Sequence, residues 1–427
     1  MKFLEKTLFP VLTRLGENRH LRAIRDGIVA ILPLIVTGSF FLLLGQLPGS
    51  GPQADWGPVE AWLNQTSFTH AIFQWYVANH GIFLIPYLLT MKLMSLYAVF
   101  TISASLAKIY GTDPVSSGLI GVASLLLTLV PVNVEKQGWM LPLSQLGGAS
   151  LFLAIIIGLL SAEVYRFSES RNFIRLPEGV PPSVARAFSS VIPLAALVTF
   201  FWVIRHVLGI DLQSWILVIL SPIEKLGDSL IAVILITLVV HLIWLAGIHG
   251  VSVMNALFLS LWIYYLDQNA QAVAAGHLAP YVTAHPFYQW FVWVGGSGAT
   301  LGLAFLLLFS RSKSLKDLGK LSFLPSLCNI NEPIIFGLPI MLNPIMAIPF
   351  LLAPTVAGVI AYLAFKWNFV NRPFIWVPWT LPAPIGAFLS TGYDWRALVL
   401  LGIIVIVTTL IYYPFLKQLE RKTGGAS

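Results

Sequence analysis

Long apolar stretches, separated by short polar segments rich in proline and glycine, dominate the pattern of this chain. The stretches run to about 20 residues, which lets an α-helix cross a hydrocarbon core about 30 Å thick. They lack the strict alternation of apolar and polar residues that is typical of outer-membrane barrel strands. The pattern therefore predicts about ten transmembrane helices, over residues 24–46, 82–110, 115–131, 149–165, 188–209, 229–249, 251–266, 288–309, 345–365 and 397–416.

Lysine and arginine residues between the predicted spans indicate the orientation. They are concentrated in the amino-terminal 26 residues, in segments 165–186 and 310–320, and in the tail 417–427. An even number of predicted spans separates each of these regions from the next. Because cytoplasmic loops carry an excess of basic residues, all four regions are predicted to be cytoplasmic. Both termini then lie inside.

Two kinds of segment do not fit simple spans. The basic, amphipathic segment 8–24 and the stretch around 178–190 suit helices lying in the inner membrane interface. Segments 328–345 and 376–392 are apolar but interrupted by several prolines, which remove backbone donors. In a membrane such broken backbone is tolerated only inside protein or beside a water-filled cavity. The sequence therefore predicts a binding cavity at these broken segments.

Composition agrees with the membrane assignment. The chain has 427 residues, of which 57% are hydrophobic and only 10% are charged, and its mean hydropathy is +0.83. A soluble domain carries about 25% charged residues. The predicted class is an all-α polytopic membrane protein of about ten transmembrane helices and interfacial amphipathic helices. We attribute the net charge of +7 to topology and to contact with anionic lipid, not to binding of nucleic acid.

Several kinds of chemistry are excluded. Cys328 is the single cysteine, which rules out an internal disulfide and a multi-thiolate metal site. No Walker A motif is present, so the chain is not expected to hydrolyse ATP. No cluster of His, Asp and Glu has the spacing of metal ligands, and neither a metal nor a cofactor is expected.

Glu332 is the strongest candidate for a functional residue. It lies in one of the most apolar runs of the chain, which predicts that it is buried. A carboxylate at membrane depth costs about 2.5–3.5 kcal/mol on insertion scales, so its presence calls for a partner or a role. One interpretation is a buried structural carboxylate tied to backbone amides of its own hairpin. The other is an acceptor for the hydroxyls of a polar ligand, with the adjacent Asn331 supplying both a donor and an acceptor.

His249 is the second candidate, since Gly247 and Gly250 flank it and suggest a loosened helix end or a hairpin tip. It could bind a sugar hydroxyl, accept a proton near neutral pH, or be a satisfied core residue. Asn255 and Gln289 are further candidate ligands, although amides within spans more often join helices. Trp379 could stack on a sugar ring or belong to an interfacial aromatic belt.

Four motifs carry a resemblance to a known family. They are RHLRAIRDGIVAILPLIVTGSF (19–40), GIHG (247–250), GGSGATLGL (295–303) and NINEPIIFGLPIMLNPIMAIPF (329–350). In this order and over essentially the whole chain, the sequence resembles the membrane subunit, enzyme IIC, of the bacterial sugar phosphotransferase system. The match is to its lactose, cellobiose and diacetylchitobiose group.

The resemblance implies a homodimer in the bacterial plasma membrane, with residues 1–220 as a scaffold and dimerisation half. Residues 221–427 would bind a disaccharide between two re-entrant hairpins, near 245–255 and 328–345, and move it across by an elevator-like shift. Glu332 and His249 would hold the sugar hydroxyl that is phosphorylated. The phosphoryl group would come from the phosphocysteine of a separate IIB subunit, with IIA upstream, so the chain is a transporter component and not itself an enzyme.

One alternative from another class stays open at this point. An ion-coupled secondary sugar transporter would use Glu332 and His249 as a titrating pair instead of as sugar ligands. The sequence also does not distinguish lactose, cellobiose and diacetylchitobiose, because pocket shape decides among them.

Overall fold

The computed structural model describes residues 18–45, 67–129, 132–134, 138–171, 181, 184, 188–338, 340 and 343–424. Most of these residues are helical. The helices are α1 Arg19–Gly45, α2 Ser67–Leu89, α3 Met94–Tyr110, α4 Pro114–Leu127, α5 Leu151–Arg171, α6 Val191–Trp202, α7 Leu212–Gly227, α8 Leu230–Leu245, α9 Gly250–Ala274, α10 Leu301–Leu308, α11 Lys313–Leu327, α12 Glu332–Gly337, α13 Pro344–Lys366, α14 Ala383–Ser390 and α15 Arg396–Gly424.

Short elements connect some of these helices. Three-residue 3₁₀ helices occur at Met91–Leu93, Leu143–Gln145 and Gly148–Ser150. Strands Val132–Val134 and Gly138–Met140 pair in an antiparallel hairpin, with Asn133 opposite Trp139.

Six helical segments of the described chain are long and apolar enough to cross a membrane. They are Arg19–Gly45, Thr69–Tyr110, Gly148–Arg171, Gly250–Ala274, Ile345–Lys366 and Arg396–Arg421. A seventh is possible if the pair Val191–Val207 and Leu212–Gly227, which is bent by 86°, counts as one span. Helices α4 and α8 are apolar but shorter. The predicted count of ten spans therefore stays a prediction.

The predicted interfacial segments lie largely outside the described residues. Residues 1–17 and most of 178–187 are not described, and from Arg19 onward the segment 8–24 is already part of α1. Their interfacial role stays a prediction.

The predicted span over 288–309 differs from the structure, because it is not one helix. A helical turn at His285–Phe287 continues as a π-helix over Tyr288–Val292, and helix resumes only at Leu301. Between them lies a non-helical segment, residues 293–300, which we call the glycine turn. Its glycines 295, 296 and 298 all have positive φ, a conformation that glycine adopts without steric cost.

The chain forms two compact units. The first comprises Met1–Gly38, Pro86–Pro222 and Asn255–Tyr264, and the second comprises Ser39–Ile85, Ile223–Met254 and Tyr265–Ser427. One boundary falls at 222, close to the predicted division at 220, whereas Ser39–Ile85 groups with the second unit. The assignment of dimerisation and transport to the two halves stays a prediction.

In the first unit, α3 packs against α4 and α5 with small residues at the contacts. A Cβ at Gly158 would lie 3.1 Å from the Val99 carbonyl oxygen, so glycine permits the close approach of α5 to α3. Between α3 and α4, the buried hydroxyls of Ser103 and Ser117 are 2.8 Å apart and hydrogen-bonded. Large side chains such as Ile157 and Tyr165 fill the remaining core.

In the second unit, α13 packs against α8 and α15, and α10 packs against α11 and α15. The glycine turn is buried at every residue from 293 to 300. The core of this unit therefore contains a stretch of non-helical backbone, whose polar groups must be satisfied inside the protein.

Candidate functional site

His249 lies in the short turn between α8 and α9, where the flanking glycines predicted a helix end. The re-entrant hairpin near 245–255 stays a prediction. Helix α8 ends with Gly247 in the left-handed region, at φ +86°. The amide of Gly247 donates to the Trp244 carbonyl and that of Ile248 donates to the Ile243 carbonyl, which is the Schellman arrangement of helix ends. Helix α9 then begins at Gly250, with His249 as its N-cap.

Glycine is required where α9 starts. A Cβ on Gly250 would lie 2.9 Å from the carbonyl carbon of Val240 and closer still to its oxygen. The start of α9 therefore lies directly on the backbone of α8, and this contact fixes where His249 is held.

The His249 ring is exposed but its orientation is determined by neighbours. Its Nδ1 accepts a hydrogen bond from the backbone N–H of Ser252, at 3.1 Å, and lies 2.9 Å from the Ser252 hydroxyl. The Trp244 ring packs beside it, with ring centroids 4.4 Å apart. Among the described residues, Nε2 has no hydrogen-bond partner, so it is available to a ligand.

Glu332 begins the short helix α12, which follows a tight turn after α11. Asn329 in that turn has a positive φ of +60°, and Pro333 occupies the second helical position, where a missing N–H costs nothing. The side chains of Ile334 and Ile335 are buried, whereas Glu332 is exposed.

The expectation that Glu332 is buried was therefore wrong. Apolar residues surround it along the chain, but α12 turns its carboxylate away from the packed side of the helix. In the part of the chain that the structure describes, the carboxylate takes part in no hydrogen bond or ion pair. This removes the interpretation that described backbone amides hold it, and leaves its oxygens free to accept hydrogen bonds.

Asn331, beside Glu332, is buried and bound to the glycine turn. Its Nδ2 donates to the Ser297 carbonyl at 2.5 Å and to the Thr300 hydroxyl at 2.9 Å. An amide nitrogen has two donor hydrogens, so these two acceptors use both. Thr300 in turn donates to the Gly295 carbonyl at 2.7 Å.

Three more side chains satisfy the backbone of the glycine turn. The Gly295 N–H donates to Asn329 Oδ1 at 2.9 Å, and the Gly298 N–H donates to His241 Nε2 at 2.8 Å. Tyr412 donates its hydroxyl to the Gly298 carbonyl at 2.7 Å. His241 is held by its own donation to the Thr237 carbonyl at 2.6 Å.

These contacts decide how the Gly-Gly-Ser-Gly sequence is used. Its resemblance to a phosphate-cradling loop depends on free backbone N–H groups, yet those of Gly295 and Gly298 are already bound by Asn329 and His241. The turn is instead a tightly packed part of the second unit, and it anchors the backbone that leads into Glu332.

The other predicted ligands lie in different settings. Trp379 is 53% exposed, and its carbonyl oxygen is 3.4 Å from Asn329 Nδ2, a long hydrogen bond that links segment 376–382 to the Asn329 turn. Gln289 is half-buried in the π-helix. Asn255 is half-buried in α9, within the first unit, and its Oδ1 is buried without a partner among the described residues.

Sequence reasoning missed Asn329, Ser252 and Tyr412. The partners of Asn329 and Tyr412 lie far along the chain, so no local signal could have found these two residues. Ser252 is only three residues from His249, and the position of a serine in the first turn of the predicted helix was the available signal. Within the described residues, no group of three or more His, Cys, Asp or Glu side chains could hold a metal ion. Glu332, His249 and Trp379 are each exposed, and their grouping into one binding site stays a prediction.

Comparison with known proteins identifies the family. The family model described as "Phosphotransferase system, EIIC" matches residues 25–354. The lichenan permease IIC component of Bacillus subtilis (strain 168) is 34% identical, and the match covers 99% of this chain and 94% of that protein. The cellobiose-specific EIIC component of Geobacillus stearothermophilus is 36% identical, with coverage of 100% and 95%.

A solved structure agrees. The crystal structure of the transporter ChbC, the IIC component from the N,N'-diacetylchitobiose-specific phosphotransferase system, superposes with a TM-score of 0.84 at 33% identity, and 98% of each chain is covered. Some relatives are named as EIICB components. One is the lactose-specific protein of Lacticaseibacillus casei, 30% identical, of which this chain covers 69%.

These matches confirm the α-helical membrane-transporter fold and the family that the sequence motifs indicated. The chain belongs to the EIIC family and is a membrane permease component of a phosphotransferase system.

Proposed function

We propose that this EIIC protein binds a disaccharide of the cellobiose, diacetylchitobiose or lactose type and presents one of its hydroxyls to phosphorylated IIB. The proposal rests mainly on the surroundings of the Glu332 carboxylate. Its carboxylate is exposed and without a partner among the described residues, although the backbone on either side is firmly held through Asn331 and the buried Ile334 and Ile335. A free acceptor on a rigid support is what recognition of sugar hydroxyls requires.

Glu332 and His249 have complementary parts in this proposal. The carboxylate accepts hydrogen bonds from sugar hydroxyls, and the exposed Nε2 of His249 provides a second polar contact. Trp379, more than half exposed, offers an aromatic face to the apolar side of a sugar ring. Asn255 and Gln289 stay proposed ligands. Asn331 contributes by holding the Glu332 backbone, because both of its amide hydrogens are used within the protein.

The phosphoryl transfer itself needs little covalent chemistry from this chain. The sugar hydroxyl oxygen forms a bond to phosphorus while the bond from phosphorus to the IIB cysteine sulfur breaks, and the electron pair stays on sulfur. The hydroxyl proton goes to the Glu332 carboxylate. The permease contributes position, which can supply several kcal/mol of barrier reduction.

EIIC components work with IIB and IIA proteins, and exposed basic residues suit the docking of an anionic phosphoprotein. Arg311, Lys313, Lys316 and Lys320 are all exposed at the start of α11. We assign this segment to the cytoplasmic face together with both termini. A homodimer assembled through residues 1–220 completes the proposal.

Equilibrium binding of radiolabelled sugars to the purified protein tests the site. Cellobiose, diacetylchitobiose and lactose are compared on wild type and on Glu332→Gln and His249→Ala. We expect saturable binding of one sugar, lost in both variants while their melting temperatures stay within 2–3 °C of wild type. Binding that survives Glu332→Gln would refute the role of the carboxylate, and absence of any disaccharide binding would refute the substrate class.

A second experiment separates this mechanism from ion-coupled transport. Vesicles containing the protein are given labelled sugar with either phosphorylated IIB inside or a proton or sodium gradient. Accumulation of sugar phosphate that needs phosphorylated IIB and is insensitive to ionophores is the expected result. Uptake driven by the gradient alone would overturn the proposal.

A further inference from the structure

The hydrogen bond that caps α9 determines which nitrogen of His249 carries the proton. A backbone N–H can only donate, and the N–H of Ser252 points to His249 Nδ1 at 3.1 Å. Nδ1 must therefore present its lone pair in this arrangement. In a neutral imidazole one nitrogen is a donor and the other an acceptor, so the proton is on Nε2.

Two further contacts hold the ring in this orientation. The Ser252 hydroxyl is 2.9 Å from the same Nδ1 and can donate to it as well. The Trp244 ring, 4.4 Å away between centroids and inclined by 47°, packs against the imidazole and opposes its rotation. Trp244 is itself buried on α8. The orientation of the ring is thus set by groups on both α8 and α9.

We propose that the backbone N–H of Ser252, at the third position of α9, keeps His249 in the Nε2–H form, so that His249 donates a hydrogen bond to a sugar oxygen and does not accept the hydroxyl proton. This inference rests on the proposed function. The two predicted catalytic residues then have different roles. His249 donates a hydrogen bond, and only Glu332 can accept the hydroxyl proton.

Variants at Ser252 can change the proton position without altering the histidine. Ser252→Asp places a carboxylate beside Nδ1 and should move a proton onto that nitrogen, because a carboxylate accepts and never donates. Ser252→Asn introduces a side chain of the same size as aspartate but without its charge. Ser252→Ala keeps the backbone N–H and should keep the wild-type tautomer.

The matched control is Ser116→Ala in α4. Ser116 occupies the same third helical position, and its N–H donates to the N-cap Asp113 at 2.8 Å. It therefore reports the cost of losing a serine hydroxyl in a first helical turn where no histidine is involved.

The experiment combines nitrogen NMR with sugar binding. Full-length protein labelled with ¹⁵N-histidine is measured in lipid nanodiscs, and the His249 signals are assigned from their loss in His249→Gln. We expect an unprotonated Nδ1 and a protonated Nε2 in wild type, Ser252→Ala and Ser116→Ala. In Ser252→Asp we expect a protonated Nδ1 and a Kd for the sugar at least tenfold higher, with Ser252→Asn between the two.

The outcomes separate this inference from the proposed function. Wild type that binds a disaccharide but shows Nδ1–H overturns the inference and leaves the function intact. The inference is equally overturned if Ser252→Asp moves the proton and sugar affinity does not change. If Ser252→Asp does not fold, the spectra of wild type and Ser252→Ala still test the inference. A protonated Nδ1 in either of them would overturn it.

Discussion

Asn331 lies directly against Gly296: a Cβ added to the glycine would approach the Asn331 Oδ1 to 2.5 Å and its Cβ to 2.8 Å. The backbone of the glycine turn is therefore in contact with the side chain of Asn331, in the loop just before Glu332. Gly296 also has a φ of +98°, which disfavours any L-residue with a side chain.

Gly296→Ala should displace Asn331 and with it the start of α12. We expect a loss of about 2 kcal/mol from strain and the displaced amide, seen as a lower melting temperature, together with weaker sugar binding. Gly402→Ala in α15 is the matched control, because nothing lies within 4 Å of a Cβ there. Equal behaviour of the two variants would show that the contact is unimportant.

Asn331→Asp tests whether the amide acts as a donor. The change keeps size and shape but replaces both Nδ2 hydrogens with an acceptor that faces the Ser297 carbonyl. An unsatisfied buried group costs about 1–3 kcal/mol, so thermal stability should fall. If Asn331 binds sugar instead of the turn, the variant would lose affinity and keep the melting temperature of wild type.

Glu332→Gln and Glu420→Gln should have opposite effects. Glu332 has no hydrogen bond or ion pair among the described residues, so its variant should keep the wild-type melting temperature and lose uptake. Glu420 accepts from the Ser310 hydroxyl at 2.5 Å and pairs with Lys417 at 2.7 Å, so its variant should melt earlier and keep sugar affinity. Measuring both properties on both variants checks the assignment, which a loss of stability in Glu332→Gln would contradict.

Trp379→Ala should weaken binding only moderately. Its ring is exposed, and the link to Asn329 runs through the Trp379 carbonyl, which the variant retains. Loss of an aromatic contact of about 1 kcal/mol raises Kd roughly fivefold. Calorimetry of sugar binding measures the change, with Trp367→Ala as a control at an exposed tryptophan outside the predicted site. An unchanged affinity would place Trp379 among purely interfacial residues.

The sequence was most informative where the signal is local. Gly247 and Gly250 indicated a helix end beside His249, and the structure has one, because a left-handed helix end and a close backbone contact each require glycine. The prolines around Glu332 likewise indicated broken backbone. The family could also be identified, since its motifs are continuous stretches of sequence.

The sequence failed where a residue's role depends on partners far along the chain. Hydropathy averages over residues that are close in sequence and ignores contacts between distant ones. It therefore predicted a buried Glu332 and a continuous span at 288–309. It could not show that Asn331 and His241 would satisfy the glycine turn, because those partners lie more than 30 and 50 residues away. Asn331 was accordingly predicted to bind the ligand, whereas its amide hydrogens are committed within the protein.

The four side chains that satisfy the glycine turn come from α8, α15 and the loop before α12. They replace the hydrogen bonds that a continuous helix would have formed with itself, and none can be broken in a membrane without leaving a polar group unpaired. Any displacement that carries Glu332 across the bilayer must therefore carry the glycine turn with it. In the proposed transport step, the turn, the Glu332 loop and the parts of α8 and α15 around His241 and Tyr412 would then travel as one rigid body. A sugar held by Glu332 would keep its distance from these groups along the whole path.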